Sequence, residues 1–219
     1  MVRDHTGTVV GSAQVTPQPD QRGTIEIPLT LLPEPGTYTW LLEAFNTASG
    51  SVDSSESFTV IALRAIELIK NGDFREGGAH WTLEQSWRVD LEGYARVNLE
   101  ITTNFSASVS QDLVIPEGAA SLTLSFRYYL AASPPGQVNK LELKAYLIAG
   151  GDIIWESEPI QWDGSRQTVW KQFTQTFSLN LTGPVTLKIT LIADVREVGK
   201  AASIDVGLDD VSLVAAAIP

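Results

Sequence analysis

Two pairs of carboxylates in this chain stand at spacings that acid–base chemistry could use. Glu156 and Glu158 are two residues apart, so an extended strand would place them on one face; Asp209 and Asp210 are adjacent. Nothing in the surrounding residues signals the cleft or the raised acidity that a general acid needs, and acidic residues at strand ends are ordinary. The chain has no cysteine, which removes thiolate nucleophiles, disulfides and cysteine-held zinc. It has two histidines, His5 and His80, far apart in sequence. A multi-histidine metal centre is therefore excluded, and a Ser-His-Asp triad would have to use one of these two. The chain is read as non-catalytic.

The remaining composition narrows the partners. The formal net charge is −11 over 219 residues, and the regions before and after residue 62 are both acidic. Nucleic acid is an unsuitable partner, because neutralising phosphates takes clustered basic side chains. Apolar runs such as "VIAL" and "AYLIA" fall far short of the ~20 residues that span a bilayer, so no membrane insertion is expected. The start, "MVRDHTGTVV", lacks the apolar core of a signal peptide. With 43% apolar residues the chain can still bury a sizeable core.

What must position any site is strand. Helical periodicity is nearly absent, the one candidate being "ALRAIELIK" (62–70). Elsewhere apolar residues alternate at period two between turn residues, at roughly the 8- to 12-residue spacing of sandwiches and jelly rolls. The predicted fold class is all-β. Residues 1–61 supply strands around "GTVVGSAQV", "TIEIPLTL", "GTYTWLLEAF" and "ESFTVIA", with a hairpin turning at Asp4-His5-Thr6-Gly7. The stretch "LLPEPGTYTW" resembles the tyrosine corner of immunoglobulin-like and fibronectin-III-like domains. Such a domain has about 100 residues, so the resemblance implies a partial sandwich, cut from something longer or completed by a neighbouring chain. "YTWLLEAF" is apolar on both faces, so Trp40, Leu42 and Phe45 are expected to be at least partly covered, and self-association is one way to cover them. Residues 62–66 form a connector without Gly/Ser or Pro enrichment, which predicts docked units.

Near the start of residues 67–219 stands "NGDFREGGAHW", residues 71–81. Asn71-Gly72 is a turn pair that accepts positive φ, Phe74 is an apolar anchor, and Gly77-Gly78 breaks the chain again before Trp81. Eight strand candidates follow: "GYARVNLEI", "ASVSQDLVI", "SLTLSFRYYL", "NKLELKAYLI", "DIIWES", "KQFTQTFSL", "VTLKITLIAD" and "SIDVGLDDVSLVA", with Gly150-Gly151 as a hairpin turn. The opening "NGDFREGG…W", the closing "DDVSL", and between them "GYARV", "SQDL" and the Trp170, Phe173, Thr174, Phe177 pattern stand in a particular order. In that order they resemble the galactose-binding-like jelly roll of carbohydrate-binding modules, of the kind attached to xylanases and β-glucanases.

The resemblance implies a structural calcium ion where the first and last strands meet. Its ligands would be Asp73 or Glu76 with Asp209 or Asp210, and Asp205 is a further turn or calcium candidate. Arg75 stands where that family carries a glutamate and opposes a cation. The alternative is that Arg75 pairs with an aspartate of the closing strand and no cofactor is required.

The resemblance also implies a glycan groove on the sheet made of the second, fourth, fifth and seventh strands. Tyr129 and Tyr146 would cover the C–H faces of sugar rings, and Arg96, Asn98, Arg127 and Glu142 would pair with hydroxyls. Trp155 and Trp162 mark a second candidate location, while Trp81 and Trp170 are assigned to packing. Alternating charge on an outer face is also what a merely solvated sheet carries. The expected function is an extracellular or surface-carried module that binds polysaccharide. The alternative is a structural or adhesive module of a surface layer, stalk or filament with no sugar ligand.

Overall fold

The structure, a computed structural model, describes residues 2–4, 6–12, 36–46, 51–179 and 181–217. The chain divides into two compact units, residues 1–64 and 65–217. In the first, β1 (Val2–Arg3), β2 (Val9–Gly11), β3 (Gly36–Asn46) and β4 (Ser51–Ala62) form an antiparallel sheet in the order β2-β1-β3-β4. The hairpin turn expected at residues 4–7 is present. Asp4 accepts from the backbone N–H of Thr6 and Thr8 with one carboxylate oxygen, and its own backbone pairs with Gly7 and Thr8. Trp40 is buried with Val2 and Val10, whereas Leu42 on the same strand is 40% exposed. Cover over Trp40 thus does not extend to Leu42. The predicted strand "TIEIPLTL" and the side chains of Tyr38 and Phe45 lie outside the described residues.

The second unit contains β5 (Arg64–Glu67), β6 (Thr82–Leu83), β7 (Arg88–Val89), β8 (Ala95–Ile101), β9 (Phe105–Ile115), β10 (Ala119–Ser133), β11 (Val138–Ala149), β12 (Asp152–Glu156), β13 (Ile160–Gln161), β14 (Lys171–Phe177), β15 (Gly183–Val195) and β16 (Ala202–Ala217). All eight predicted strands form. The helical candidate at 62–70 instead supplies β5, which pairs with β16 because the closing strand offers it a free ladder edge beyond β8. One sheet, sheet I, runs β14-β10-β16-β8-β7, with β5 also on β16. The other, sheet II, runs β12-β11-β15-β9-β6, with β13 on β11. Gly150 and Gly151 turn the β11–β12 hairpin at φ +60 and +96, a left-handed pair that only glycine adopts without strain.

This topology corrects the expected grouping of strands. β8 and β10 lie in sheet I, but β11 and β15 lie in sheet II. The chain changes sheets at each of the links β8–β9, β9–β10 and β10–β11, and β16 enters between β8 and β10. The predicted inward residues are inward. Leu122, Leu124 and Phe126 of β10 and Leu141, Leu143, Ala145 and Leu147 of β11 belong to one buried cluster with Leu187, Ile189 and Leu191 of β15. The sheets also meet at an edge, where Trp155 of β12 stacks on Phe177 of β14 at 3.9 Å and 11°.

The opening loop is built around Asn71. Its amide donates to the carbonyls of Gly77 and Ala79 and accepts from the N–H of Glu76, while Trp81 Nε1 donates to its backbone carbonyl. Asn71 takes the positive φ (52°) expected of it, and Phe74 is buried at 1% exposure against Trp81. Gly72 serves a different purpose. Val211 of the closing strand donates its N–H to the Gly72 carbonyl, and a Cβ on Gly72 would lie 1.8 Å from the Val211 carbonyl oxygen. Gln111 secures the same region, exchanging both amide hydrogen bonds with the backbone of Lys70.

Gly72→Ala is therefore expected to cost about 1–3 kcal/mol or more, since backbone must move to admit the methyl group. Gly78→Ala, whose new atom meets only the flexible end of Leu83 at 3.3 Å, should be nearly silent. Denaturant unfolding of the two variants beside the wild type checks the contrast.

Candidate functional site

On the outer face of sheet I the alternation of β8, β16 and β10 lines residues up in rows. Arg96, Gly207 and Tyr129 are cross-strand neighbours, and the next row holds Asn98, Asp205 and Ala131. Gly207 gives the first row its shape. A Cβ there would sit 2.1 Å from the Tyr129 ring, so the ring lies flat against the glycine backbone. Any other residue would lift the tyrosine off the sheet.

Asp205 holds this arrangement together. Its carboxylate accepts from Tyr129 Oη at 3.0 Å and takes both Nε (2.9 Å) and an Nη (2.7 Å) of Arg96 in a two-pronged pair. The remaining Nη of Arg96 reaches Asp90 at 3.0 Å. Such charge-assisted, planar contacts fix the guanidinium in one orientation. Hydrogen bonding to Asp205, followed by that to Asp90, raises the pKa of Arg96 further above its already high value, so it remains a cation. Burial raises that of the Tyr129 phenol, reinforced by Tyr94 and Asp205, and keeps it protonated.

Two further rings lie against Tyr129. Trp170, just before β14, meets it edge-on at 4.8 Å, and Tyr94, just before β8, packs edge-on against both. Trp170 and Tyr94 are partly exposed, whereas Tyr129 is 2% exposed. Arg127 stands beside them with its guanidinium 5.0 Å from the Trp170 ring centre, within cation–π range. The same guanidinium reaches Asp210 at 3.4 Å and Asp209 at 3.9 Å. The face thus presents a partly exposed aromatic edge flanked by the oriented Arg96–Asp205 pair and by Arg127, one nitrogen of which lies near Asp210 and Asp209.

The predicted site residues divide accordingly. Arg96, Asn98 and Arg127 share this face. Tyr129 is on it too, but its ring covers Gly207 and is itself covered, so it supports the platform and does not form its surface. Glu142 and Tyr146 belong to β11, in sheet II, where Lys140 pairs with Glu142 at 2.7 Å and Lys144 lies over the Tyr146 ring. A single groove holding all six is ruled out by the strand order. Trp155 stacks on Phe177, and Trp162 packs on the core with Nε1 donating to the Ser165 carbonyl. Sequence reasoning placed Trp170 in the packing, took Asp205 for a turn or calcium residue, and passed over Tyr94, Asp90 and Gly207. The signal available was "DVGLD": a glycine between two outward aspartates marks a place where something must lie close to the strand.

The residues proposed for calcium have other partners. Asp73 pairs with Arg75 of its own loop at 3.2 Å, and Glu76 faces His80 at 4.0 Å. Arg75 does not reach the closing strand's aspartates; Arg127 does. Burial raises the Asp209 carboxyl above the usual range, with Asp210 and Asp73 adding repulsion. Among the described residues no group of three or more His, Asp or Glu could hold a metal ion. Arginines stand beside Asp73, Asp209 and Asp210 and oppose a cation there. A chelator should leave the thermal midpoint unchanged, and a downward shift would restore the metal.

The carboxylates also fix the sign of a pH effect. Hydrogen bonding to Arg96 lowers the Asp90 pKa, so its stabilisation is present above the unfolded value of about 3.9 and is lost as pH falls through the lower folded value. Asp90→Asn should lower the midpoint at pH 7, with the gap closing only below about pH 4. For Asp209, held above the usual range, the sign reverses. Asp209→Asn should raise the midpoint at pH 7, and the gain should fade as pH falls through the raised folded value. Thermal melts across pH measure both.

Comparisons with known proteins place these features among solved structures. No family model matches the chain, and no curated protein matches it. Among solved structures it is similar to TmCBM61 in complex with beta-1,4-galactotriose, at 16% identity and a TM-score of 0.47, covering 68% of this chain and 97% of that one. A carbohydrate-binding module of the β-sandwich superfamily studied for promiscuous specificity shares 15% identity over 82% of this chain and 74% of its own, with a TM-score of 0.46. TmCBM27, studied for mannan recognition, shares 14% over 69% of this chain and 98% of its own, with a TM-score of 0.39. The all-β architecture expected of the chain rests on its own strands and sheets, and these solved structures are β-sandwich carbohydrate-binding modules to which it is similar.

Proposed function

We propose that the second unit is a non-catalytic module that binds polysaccharide on the outer face of sheet I, carried in a secreted or surface-attached protein. The observation behind this reading is the partly exposed Trp170–Tyr94 edge, set beside the oriented Arg96–Asp205 pair and Arg127. A pyranose has an apolar C–H face and a rim of hydroxyls. A ring edge covers the first without desolvating a charge, and a fixed guanidinium or carboxylate pairs with the second at little ordering cost. The face needs no movement of its polar groups to do so.

The placement of the carboxylates supports a non-catalytic reading. Hydrolysis of a glycosidic bond uses two carboxyl groups on opposite sides of the substrate. Asp209 and Asp210 are neighbours on one strand and share the Arg127 guanidinium. Glu156, the other sequence candidate, pairs with Lys144 on sheet II.

Affinity electrophoresis and calorimetry against xylan, β-glucan, mannan and galactan test the reading. At least one should bind. Trp170→Ala should weaken that binding roughly tenfold or more, the effect of removing an aromatic anchor worth over 1 kcal/mol. Trp155→Ala should lower the thermal midpoint and leave affinity unchanged. Failure of every polymer to bind, with self-association of the chain, would favour the structural or adhesive role.

A further inference from the structure

The charges on this face carry the reading one step further, to the class of chain it accepts. We infer that the outer face of sheet I is selective for uncharged polysaccharide and rejects polymers bearing carboxylate or sulfate groups. This rests on the polysaccharide reading above.

Both central guanidiniums already stand beside carboxylates. Arg96 is held by Asp205 at 2.7 Å and Asp90 at 3.0 Å, and one nitrogen of Arg127 lies 3.4 Å from Asp210 and 3.9 Å from Asp209. Recognition of an anionic sugar by arginine needs the two-pronged face of a guanidinium. In Arg96 that face is occupied by Asp205, through Nε and one Nη together. A uronate would have to displace an internal carboxylate and leave it unpaired beside the new one, at a cost that the replaced contact cannot offset.

The wider surroundings act in the same direction. Glu100 adds a fifth carboxylate to this outer face, and Arg88, beside Arg96 on β7, adds a third cation. Carboxylates therefore outnumber cations around the aromatic edge, within a chain whose net charge is −11. A polyanion meets repulsion over the whole approach, and a neutral chain meets none. Repulsion of this kind is screened by salt, with a Debye length of about 30 Å at 0.01 M and about 3 Å at 1 M. Discrimination is thus greatest in dilute buffer.

The experiment uses the whole chain and compares galactan, mannan and β-glucan with the same polymers oxidised at C6 to the carboxylate, with polygalacturonate alongside, at 10 mM and 1 M salt. The expected result is binding of a neutral polymer that changes little with salt. Its oxidised form should bind roughly tenfold or more weakly in dilute buffer, and most of that loss should disappear at 1 M. Oxidised polymer or polygalacturonate binding as tightly as the neutral chain in dilute buffer would overturn the charge selection and leave polysaccharide binding standing. A loss on oxidation that salt does not relieve would overturn it as well, by assigning the effect to a missing hydroxyl. No binding by any polymer at either salt concentration would remove both readings. Glu100→Gln gives an independent check, since removing a carboxylate that holds neither Arg96 nor Arg127 should improve binding of the oxidised polymer in dilute buffer and leave that of the neutral one unchanged.

Discussion

A tyrosine ring resting on bare backbone is the constraint from which the outer face of sheet I is assembled. Tyr129 can lie flat only because residue 207 has no side chain, and its hydroxyl then falls within reach of Asp205, one row away on the same strand. Asp205, so placed, orients Arg96, and Arg96 in turn holds Asp90. The upper side of the tyrosine becomes the floor on which Trp170 and Tyr94 stand. Buried polar networks are favourable only when their members are satisfied, and here a phenol, a guanidinium and two carboxylates satisfy one another. The result is a flat surface whose polar groups are ordered before any ligand arrives.

The closing strand connects this surface to the rest of the unit. β16 pairs with β10 along one side and with β8 and β5 along the other, so it carries Asp205, Gly207 and Asp209 through the middle of sheet I. Its far half receives the opening loop through the Gly72–Val211 contact. Arg127 bridges the two regions, touching Trp170 on one side and the Asp209–Asp210 pair on the other. A guanidinium so placed offsets in part the cost that burial and mutual repulsion put on Asp209.

Much of this was legible in the sequence. Period-two alternation located all eight strands and their inward residues, because a one-residue slip would turn Leu143 or Phe126 to solvent. Strand partnership was not legible. "NKLELKAYLI" and "SLTLSFRYYL" carry the same pattern whichever sheet they join, and it is the sheet changes and the insertion of β16 that separate Tyr146 from Tyr129. Composition could identify aromatic and planar polar residues suited to sugar. It could not say that Tyr129 would be covered, that Trp170 would stand over it, or that Arg127 and not Arg75 would meet the closing aspartates. Those depend on neighbours far apart in sequence, from Trp170 over Tyr129 to Asp210 beside Arg127, 83 residues away, which no local spacing encodes.

The central claim is that ligand meets the Trp170–Tyr94 edge on sheet I. Heteronuclear NMR of the labelled chain, titrated with a neutral oligosaccharide of whichever polymer binds, tests it directly. The account predicts that shifts concentrate on the Trp170 indole, on Tyr94 and on the Arg127 side chain, while Tyr146 and Lys144 on sheet II stay in place. Saturable shifts centred on Tyr146 and Lys144, with Trp170 unmoved, would contradict it.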